Sequence, residues 1–262
     1  MQTRTVGSAS VNTLREAGTF YRFVKKACER NGSPLGASTK ILDFGISWGR
    51  IIRFFLKDTD PSCLFGVDTS AEYLKAATNT ECPAALTQIK PRGRLPYDDR
   101  SIDLVYAYSI FTHLPEGVQD RWLAEIKRVL KPNGMFLATV EPPRFIDLFL
   151  RADRNDPTLH PWHADMARKI QADSSMPERL RRSGILYIPG SEVYGDTVMT
   201  PQYVRTHWGK FFEVIDVLDD PVRFWQAVVS CRAKVLDVWG RQVRRTEAPQ
   251  APLVRAHNRL PP

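Results

Sequence analysis

The sequence has few of the features that mark metal-binding, secreted or membrane-spanning proteins. Its four cysteines lie at Cys28, Cys63, Cys82 and Cys231. They form no C-x-x-C pair, which argues against a zinc site and against a disulfide framework. No apolar run approaches the ~20 residues that span a bilayer, and residues 1–11 are polar and lack the apolar core of a signal peptide. We therefore expect a cytoplasmic protein without a membrane span.

The sequence also has few features of a protein that binds metal ions or nucleic acid. The histidines and acids show no compact ligand spacing, so no metal is expected. The formal net charge is +8, but most basic residues are interleaved with acids, as in Glu125-Ile126-Lys127-Arg128. No stripe of aromatic and basic residues and no recognised nucleic-acid-binding motif is present. Nucleic acid is therefore not the expected partner, and oligomeric state is left open.

The stretch from Lys40 to Phe55 is the clearest local pattern that the sequence does contain. Its first part, Ile41-Leu42, is a short apolar run typical of a strand buried in a parallel sheet. Its last part, Ile51-Ile52-Arg53-Phe54-Phe55, predicts a helix whose apolar face packs back on that strand. The stretch therefore predicts strand, tight turn and helix.

The turn reads Asp43-Phe44-Gly45-Ile46-Ser47-Trp48-Gly49. Glycines allow backbone N–H groups to approach a ligand at a helix N-terminus, and the leading Asp43 would repel an anion and favour a cationic ligand. This turn resembles motif I of the class I S-adenosylmethionine-dependent methyltransferases, whose usual form is D-x-G-x-G-x-G. Ser47 stands where a third glycine is common.

A second acid follows the next buried strand. Cys63 to Val67 predicts that strand, and Asp68 ends it 25 residues beyond Asp43. At the carboxyl end of a parallel strand, Asp68 would lie beside the first loop and could accept hydrogen bonds from both ribose hydroxyls. Asp68 could instead cap the following helix, but Thr69 or Ser70 can fill that position.

Two further phrases resemble the same superfamily. One is Leu95-Pro96-Tyr97-x-Asp99-x-Ser101-Ile102-Asp103-Leu104-Val105, and the other runs from Arg128 to Phe136 through Pro132-Asn133-Gly134. Many relatives carry an acid just before this Leu-Pro to bind the adenine amino group, whereas Arg92-Gly93-Arg94 stands here. The resemblance implies that backbone and apolar contacts recognise adenine in this chain.

The resemblance implies a Rossmann-like doubly wound α/β sheet, mostly parallel, with a C-terminal antiparallel hairpin. It also implies S-adenosyl-L-methionine as cofactor. The residues predicted to bind it are Asp43, Phe44, Gly45, Ser47, Gly49, Asp68, Thr69, Tyr97 and Ser109. Ser109 and Phe111 are expected to line the opening toward substrate.

We expect three segments along the chain. Residues 1–36 form an N-terminal helical extension, with a possible capping box at Thr13 to Glu16, and residues 37–240 form the methyltransferase domain. Within that domain, residues from about 141 to 199 make so long an excursion that a cap is predicted. Residues 241–262 lack apolar periodicity and are read as a disordered basic tail that folding does not need.

The acceptor is less well defined by the sequence. Ser109-Ile110-Phe111-Thr112 stands where amino-methylating DNA enzymes carry Asn/Asp-Pro-Pro-Tyr, so a hydroxyl on a small molecule or sugar is favoured. Methyl transfer to a hydroxyl requires alignment and removal of the proton. The candidate bases are His113, His160, His163 and Tyr194, each with a competing structural interpretation as a loop, surface or packing residue. A module that binds the cofactor without catalysis and a nucleic-acid-binding protein remain the alternatives.

Overall fold

A computed structural model describes residues 11–190 and 194–234. The predicted basic tail, residues 241–262, lies outside the described residues, as do residues 1–10 of the predicted extension and residues 191–193 of the predicted cap.

One seven-stranded sheet forms the centre of the fold, in the order β3-β2-β1-β4-β5-β9-β8. Its strands are β1 (Ile41–Phe44), β2 (Leu64–Asp68), β3 (Ala85–Gln88), β4 (Ile102–Ala107), β5 (Leu130–Val140), β8 (Phe212–Leu218) and β9 (Ala227–Ala233). The first five are parallel to one another, and β9 pairs antiparallel with both β5 and β8. This arrangement confirms the predicted fold class.

Four α-helices and one longer 3-10 helix of the described residues accompany the sheet and its edges. They are α1 (Val11–Arg30), α2 (Ala71–Asn79), α3 (Glu116–Val129) and α7 (Pro201–His207), with a six-residue 3-10 helix at Ile52–Lys57. Alternate residues of one strand face opposite layers, so that Val105 and Ala107 lie in one apolar cluster and Leu104 and Tyr106 in the other. Both faces of the sheet are therefore buried.

The strand order places a switch point between β1 and β4. From β1 the chain proceeds outward through β2 to β3, and β4 then returns to the other side of β1. In open parallel sheets, ligands bind beyond the carboxyl ends of the strands at such a point. The loops that follow β1, β2 and β4 are therefore the place to look for a site.

The predicted cap region has a core of its own. Between β5 and α7 lie α4 (Arg144–Arg151), α5 (Pro161–Ala172), α6 (Met176–Ser183) and a two-stranded antiparallel sheet of β6 (Ile185–Pro189) and β7 (Gly195–Met199). Buried residues of all three helices and both strands form a separate apolar cluster. We call residues 144–199 the cap segment; α6 was not predicted from the sequence.

The helix predicted after the glycine turn is present as a 3-10 helix at Ile52–Lys57. Backbone bonds from Phe54 N to Ile51 O and from Asp58 N to Phe55 O close i to i+3 turns. Residues three apart eclipse in this geometry, so Ile52 and Phe55 both enter the core. Helix α1 also includes Val11 and Asn12, and the predicted capping box therefore lies inside it.

Candidate functional site

A cavity of about 360 Å³ opens at the carboxyl ends of β1, β2 and β4. Its size lies within the ~300–1,000 Å³ range of small-molecule sites. Seven of the predicted cofactor residues line it, namely Asp43, Phe44, Gly45, Ser47, Asp68, Thr69 and Ser109. Two candidate bases, His113 and Tyr194, line it as well.

The other predicted residues are not in the cavity wall. Tyr97 packs its ring on Phe65 with the centroids 5.5 Å apart, and burial raises the pKa of its hydroxyl to about 12. Phe111 is fully buried and packs on Trp208, with ring centroids 5.0 Å apart. Gly49 also lies outside the wall of the cavity.

The two glycines of the turn face protein side chains. Gly45 has φ +86°, and a Cβ built on it would lie 2.1 Å from Ile110 Cδ1. Gly49 has φ +81°, and its Cβ would lie 2.5 Å from Cys82 Sγ. Left-handed backbone and close packing therefore both require glycine here, while Gly45 also forms part of the cavity wall.

Ser47 and Asp68 hold the turn against β2. Ser47 adopts left-handed φ of 53°, and its backbone N donates to Asp68 Oδ2 at 2.9 Å. The N–H of Ser70 donates to Asp68 Oδ1 at 2.9 Å, and Ser70 caps α2 by accepting from Tyr73 N. Among the described residues, the buried Ser47 Oγ has no hydrogen-bond partner.

Asp43 is a buried acid at the base of the cavity. It is 3% exposed, and Tyr106 Oη donates to its Oδ2 at 2.6 Å. Burial is the main cause that raises the pKa of Asp43 to about 7, although the Tyr106 hydrogen bond opposes the shift. Asp43 therefore titrates near neutral pH.

Arg50 is a cavity residue that the sequence analysis did not single out. It is 7% exposed and lines the same cavity as Asp43 and Asp68. Its Nη1 donates to the Thr13 carbonyl at 3.0 Å and to Glu16 Oε2 at 2.8 Å, both on α1. A guanidinium has five N–H donors, so these two bonds leave donors for a ligand. Its position directly after Gly49 is the sequence feature that could have indicated a place in the site.

His113 lies where β4 and the cap segment meet. Its Nδ1 is 2.9 Å from the Gly195 carbonyl oxygen, an acceptor only, so Nδ1 carries the proton in the neutral ring. Nε2 then has the free lone pair, and it makes no hydrogen bond to any described residue. The imidazole belongs to the cavity wall, which makes it the base candidate with the best geometry.

The remaining base candidates have different surroundings. His160 caps α5, because its Nδ1 accepts from Trp162 N at 3.2 Å, and it does not line the cavity. His163 lies among Phe149, Trp162 and Trp225, and its pKa is lowered by burial and by His160.

Tyr194 stacks on His113 with ring centroids 4.6 Å apart and planes at 18°. The pKa of its hydroxyl is raised to about 12 by desolvation first and by the Asp196 charge second. Because this hydroxyl stays protonated at neutral pH, Tyr194 suits proton removal less well than His113 does.

Neither a metal centre nor a bilayer span is found in the described parts of the chain. Across residues 11–190 and 194–234, no group of three or more His, Cys, Asp or Glu side chains could hold a metal ion. No helix in these ranges has the length and apolar character needed to cross a membrane. Independence from metal remains a prediction for the enzyme assay.

Comparisons with known proteins agree with the geometry. Residues 41–134 match the family model of a methyltransferase domain. Over 188 residues the chain is 26% identical to the glycine/sarcosine/dimethylglycine N-methyltransferase of Actinopolyspora halophila, a match that covers 70% of this chain and 30% of that enzyme. The chain thus spans less than a third of this relative's length.

Solved structures share the fold. The PH0226 protein of Pyrococcus horikoshii OT3 superposes with a TM-score of 0.59 at 17% identity, covering 89% of this chain and 96% of that one. Geranyl diphosphate C-methyltransferase of Streptomyces coelicolor A3(2), solved with Mg²⁺, geranyl diphosphate and S-adenosyl-L-homocysteine, gives a TM-score of 0.51 at 11% identity, covering 82% of this chain and 77% of that one.

Proposed function

We propose that the chain is a class I S-adenosylmethionine-dependent methyltransferase that methylates a hydroxyl of a small molecule or sugar, with His113 accepting the hydroxyl proton. The observation that carries this proposal is the imidazole of His113 in the cavity wall, with Nδ1 held by the Gly195 carbonyl and Nε2 left as the basic nitrogen.

S-adenosyl-L-methionine is the cofactor of this superfamily, and the residues of the cavity fit its chemistry. The cofactor has an ammonium, a carboxylate, ribose hydroxyls and an adenine ring. The wall provides two carboxyl groups, Asp43 and Asp68, one guanidinium, Arg50, and the unpartnered Ser47 Oγ. We assign the ammonium to Asp43, the ribose to Asp68 and the carboxylate to Arg50.

The adenine is assigned to the apolar part of the wall, which contains Ile89, Pro91 and Trp122. This assignment replaces Tyr97, which packs on Phe65 outside the cavity. Thr69 remains beside the ribose and adenine positions. Recognition of the adenine by apolar and backbone contacts agrees with the sequence, which has no acid just before Leu95 to bind the adenine amino group.

Cofactor affinity should depend on the ionisation of Asp43. Because the pKa of Asp43 is raised to about 7, the fraction of carboxylate available to the ammonium increases as pH rises from about 5.5 to 7.5. We expect the Kd for S-adenosyl-L-homocysteine to fall over this range and the Asp43→Asn variant to show a flatter profile. Calorimetric titration at three pH values measures this dependence; equal profiles for both proteins would contradict the assignment.

Arg50 should contribute to affinity through the amino-acid end of the cofactor alone. In Arg50→Met we expect the Kd for S-adenosyl-L-homocysteine to rise about 10- to 100-fold, since a charge-assisted bond contributes about 1.5–3 kcal/mol. The Kd for 5′-methylthioadenosine, which lacks the carboxylate and the ammonium, should stay the same.

The matched control is Arg22→Met. Arg22 lies on α1, the helix that Arg50 contacts, and its Nη2 donates to the Thr19 hydroxyl at 3.0 Å. Weaker binding of both ligands by Arg50→Met, with a lowered melting temperature, would show that Arg50 supports the fold rather than the carboxylate.

The chemistry requires little of the protein beyond alignment and one proton transfer. When bound in this cavity, the cofactor would supply an electrophilic methyl group on a sulfonium, and the electrons of the broken C–S bond would remain on sulfur. His113 Nε2 takes the hydroxyl proton and becomes an imidazolium. The apolar side chains of Ile110 and Leu114 also line this cavity.

A panel of acceptors tests the proposal. The protein is incubated with cofactor labelled in the methyl group and with pairs of small alcohols, sugars and phenols and the matching amines, and products are identified by mass spectrometry. Label in hydroxyl acceptors supports O-methylation. Label in amines alone would contradict it and would agree with the acceptors named for the Actinopolyspora halophila relative. No transfer to any acceptor would favour a binding module.

A further inference from the structure

The cap segment is joined to the loop after β4 by backbone hydrogen bonds. Gly195 N donates to the His113 carbonyl at 2.9 Å, and Thr197 N donates to the Thr112 carbonyl at 2.7 Å. One further bond runs from Met199 N to the Glu141 carbonyl at 2.9 Å. Strand β7 therefore extends along the segment that contains His113, and it fixes the position of the histidine main chain.

A buried acid of β7 faces the same histidine. Asp196 is 7% exposed, and its Oδ1 lies 3.4 Å from His113 Nδ1. The indole Nε1 of Trp162, on α5, donates to the same oxygen at 3.1 Å. A buried carboxylate requires partners to offset desolvation. Here the indole N–H donates a hydrogen bond, and the imidazole lies within ion-pair distance.

We propose that Asp196 is the positioning residue of His113. The Gly195 carbonyl accepts from Nδ1 at 2.9 Å, and Asp196 adds a negative charge on the same side of the ring. Together they hold Nε2 toward the cavity. When Nε2 accepts the proton of the acceptor, Asp196 stabilises the resulting imidazolium. This inference rests on the proposed function, in which His113 is the base.

The proposal gives the cap segment a part in proton transfer. The base comes from the loop after β4, whereas Asp196 comes from β7, which lies 83 residues further along the sequence. The orienting contact of Asp196 comes from α5, through Trp162. The pair exists only when the cap segment is folded against the sheet.

Other titratable groups near the pair are Tyr194, Tyr187, Glu141 and Tyr73. Tyr194 stacks on His113, and its pKa is raised chiefly by desolvation and then by the Asp196, Tyr73 and Glu141 charges. Glu141 is 1% exposed, and burial, with a smaller contribution from Asp196, holds its pKa well above the ordinary value. Of these two buried acids, Asp196 is the one that lies within ion-pair distance of His113.

Side-chain ¹⁵N NMR of the full chain with bound S-adenosyl-L-homocysteine tests the proposal without an acceptor. The His113 signals are assigned by their loss in His113→Gln. In Asp196→Asn, an isosteric change that can still accept from Trp162, we expect the His113 titration midpoint to move to lower pH because the imidazolium loses its counter-charge.

Asp165→Asn is the matched control. Asp165 lies on the same helix as Trp162, but it pairs with the surface residues Lys169 and Arg168. Its substitution should leave the His113 midpoint unchanged. An Asp196→Asn midpoint equal to that of the wild type would overturn the proposal.

A rate measurement separates this proposal from the proposed function. With the most active hydroxyl acceptor of the panel, Asp196→Asn should lower kcat by about 10- to 100-fold without changing KM, and Asp196→Glu should recover part of that loss. In the His113→Gln background, Asp196→Asn should have no further effect. Additive losses would mean that Asp196 supports only the fold. A wild-type rate for His113→Gln would instead refute the base assignment, whatever the NMR result.

Discussion

Replacing His113 with Gln is expected to lower kcat for hydroxyl methylation by about 10²- to 10⁴-fold, the usual contribution of a general base. Gln keeps a polar side chain of similar length but cannot accept the proton. Because His113 is assigned to the acceptor rather than to the cofactor, the Kd for S-adenosyl-L-homocysteine should remain at the wild-type value. Methyl-transfer kinetics and calorimetry on the same preparations measure both quantities.

His160→Gln is the matched control for this experiment. His160 caps α5 through its Nδ1 and is not part of the cavity wall, so we expect a rate near that of the wild type. His163→Gln should behave in the same way, since His163 lies among aromatic rings of the cap segment. A loss of two orders of magnitude at His160 or His163, with His113→Gln active, would move the base into the cap segment.

Replacing Asp68 with Ala should raise the Kd for S-adenosyl-L-homocysteine by at least about 100-fold. Each Asp68 oxygen already accepts one backbone N–H, from Ser47 and from Ser70, and each has a second lone pair for a ribose hydroxyl. The substitution removes the ribose contacts and releases the Ser47 turn at once. Two bonds to a charged group at about 1.5–3 kcal/mol each account for the expected size.

Asp98→Ala provides the comparison, because Asp98 is an exposed acid in the loop before β4. Its substitution should change neither the Kd nor the melting temperature. Asp68→Asn, which retains one acceptor oxygen, should lie between the wild type and Asp68→Ala. Wild-type affinity in a folded Asp68→Ala protein would remove Asp68 from the site.

Local patterns were sufficient to predict the sheet. The apolar runs at Ile41-Leu42 and Leu104-Val105 form neighbouring buried strands. Asp68, the acid at the end of β2, lies in the cavity wall with Ser47. These features depend on period-2 apolar patterning and on the fixed geometry of parallel strands, so a single sequence contains enough information for them.

The details of the turn depended on tertiary packing. The pattern from Ile51 to Phe55 predicts a helix, but its type was decided by the need to bury both Ile52 and Phe55. The sequence predicts that the glycines leave space for a ligand; in the structure Gly45 lines the cavity, and added Cβ atoms at Gly45 and Gly49 would also meet Ile110 and Cys82. Neither contact is visible in the local sequence, because each partner lies more than 30 residues away.

The acceptor end could be predicted only in part. His113 was a candidate because it follows β4, but Asp196 and Trp162 carry no local signal that links them to it. Their contacts arise from the docking of β7 along residues 112–114. For Tyr97 the local motif is misleading. The motif predicts contact with the adenine, but the Tyr97 ring packs on Phe65 instead.

The central claim is that the cavity at the carboxyl ends of β1, β2 and β4 binds the methyl donor. Calorimetric titration of the full chain with S-adenosyl-L-homocysteine tests it most directly. The account predicts saturable binding at one site per chain that Asp68→Ala weakens and Asp98→Ala does not. An absence of binding by the folded wild-type protein, or equal affinity in the wild type and Asp68→Ala, would contradict it.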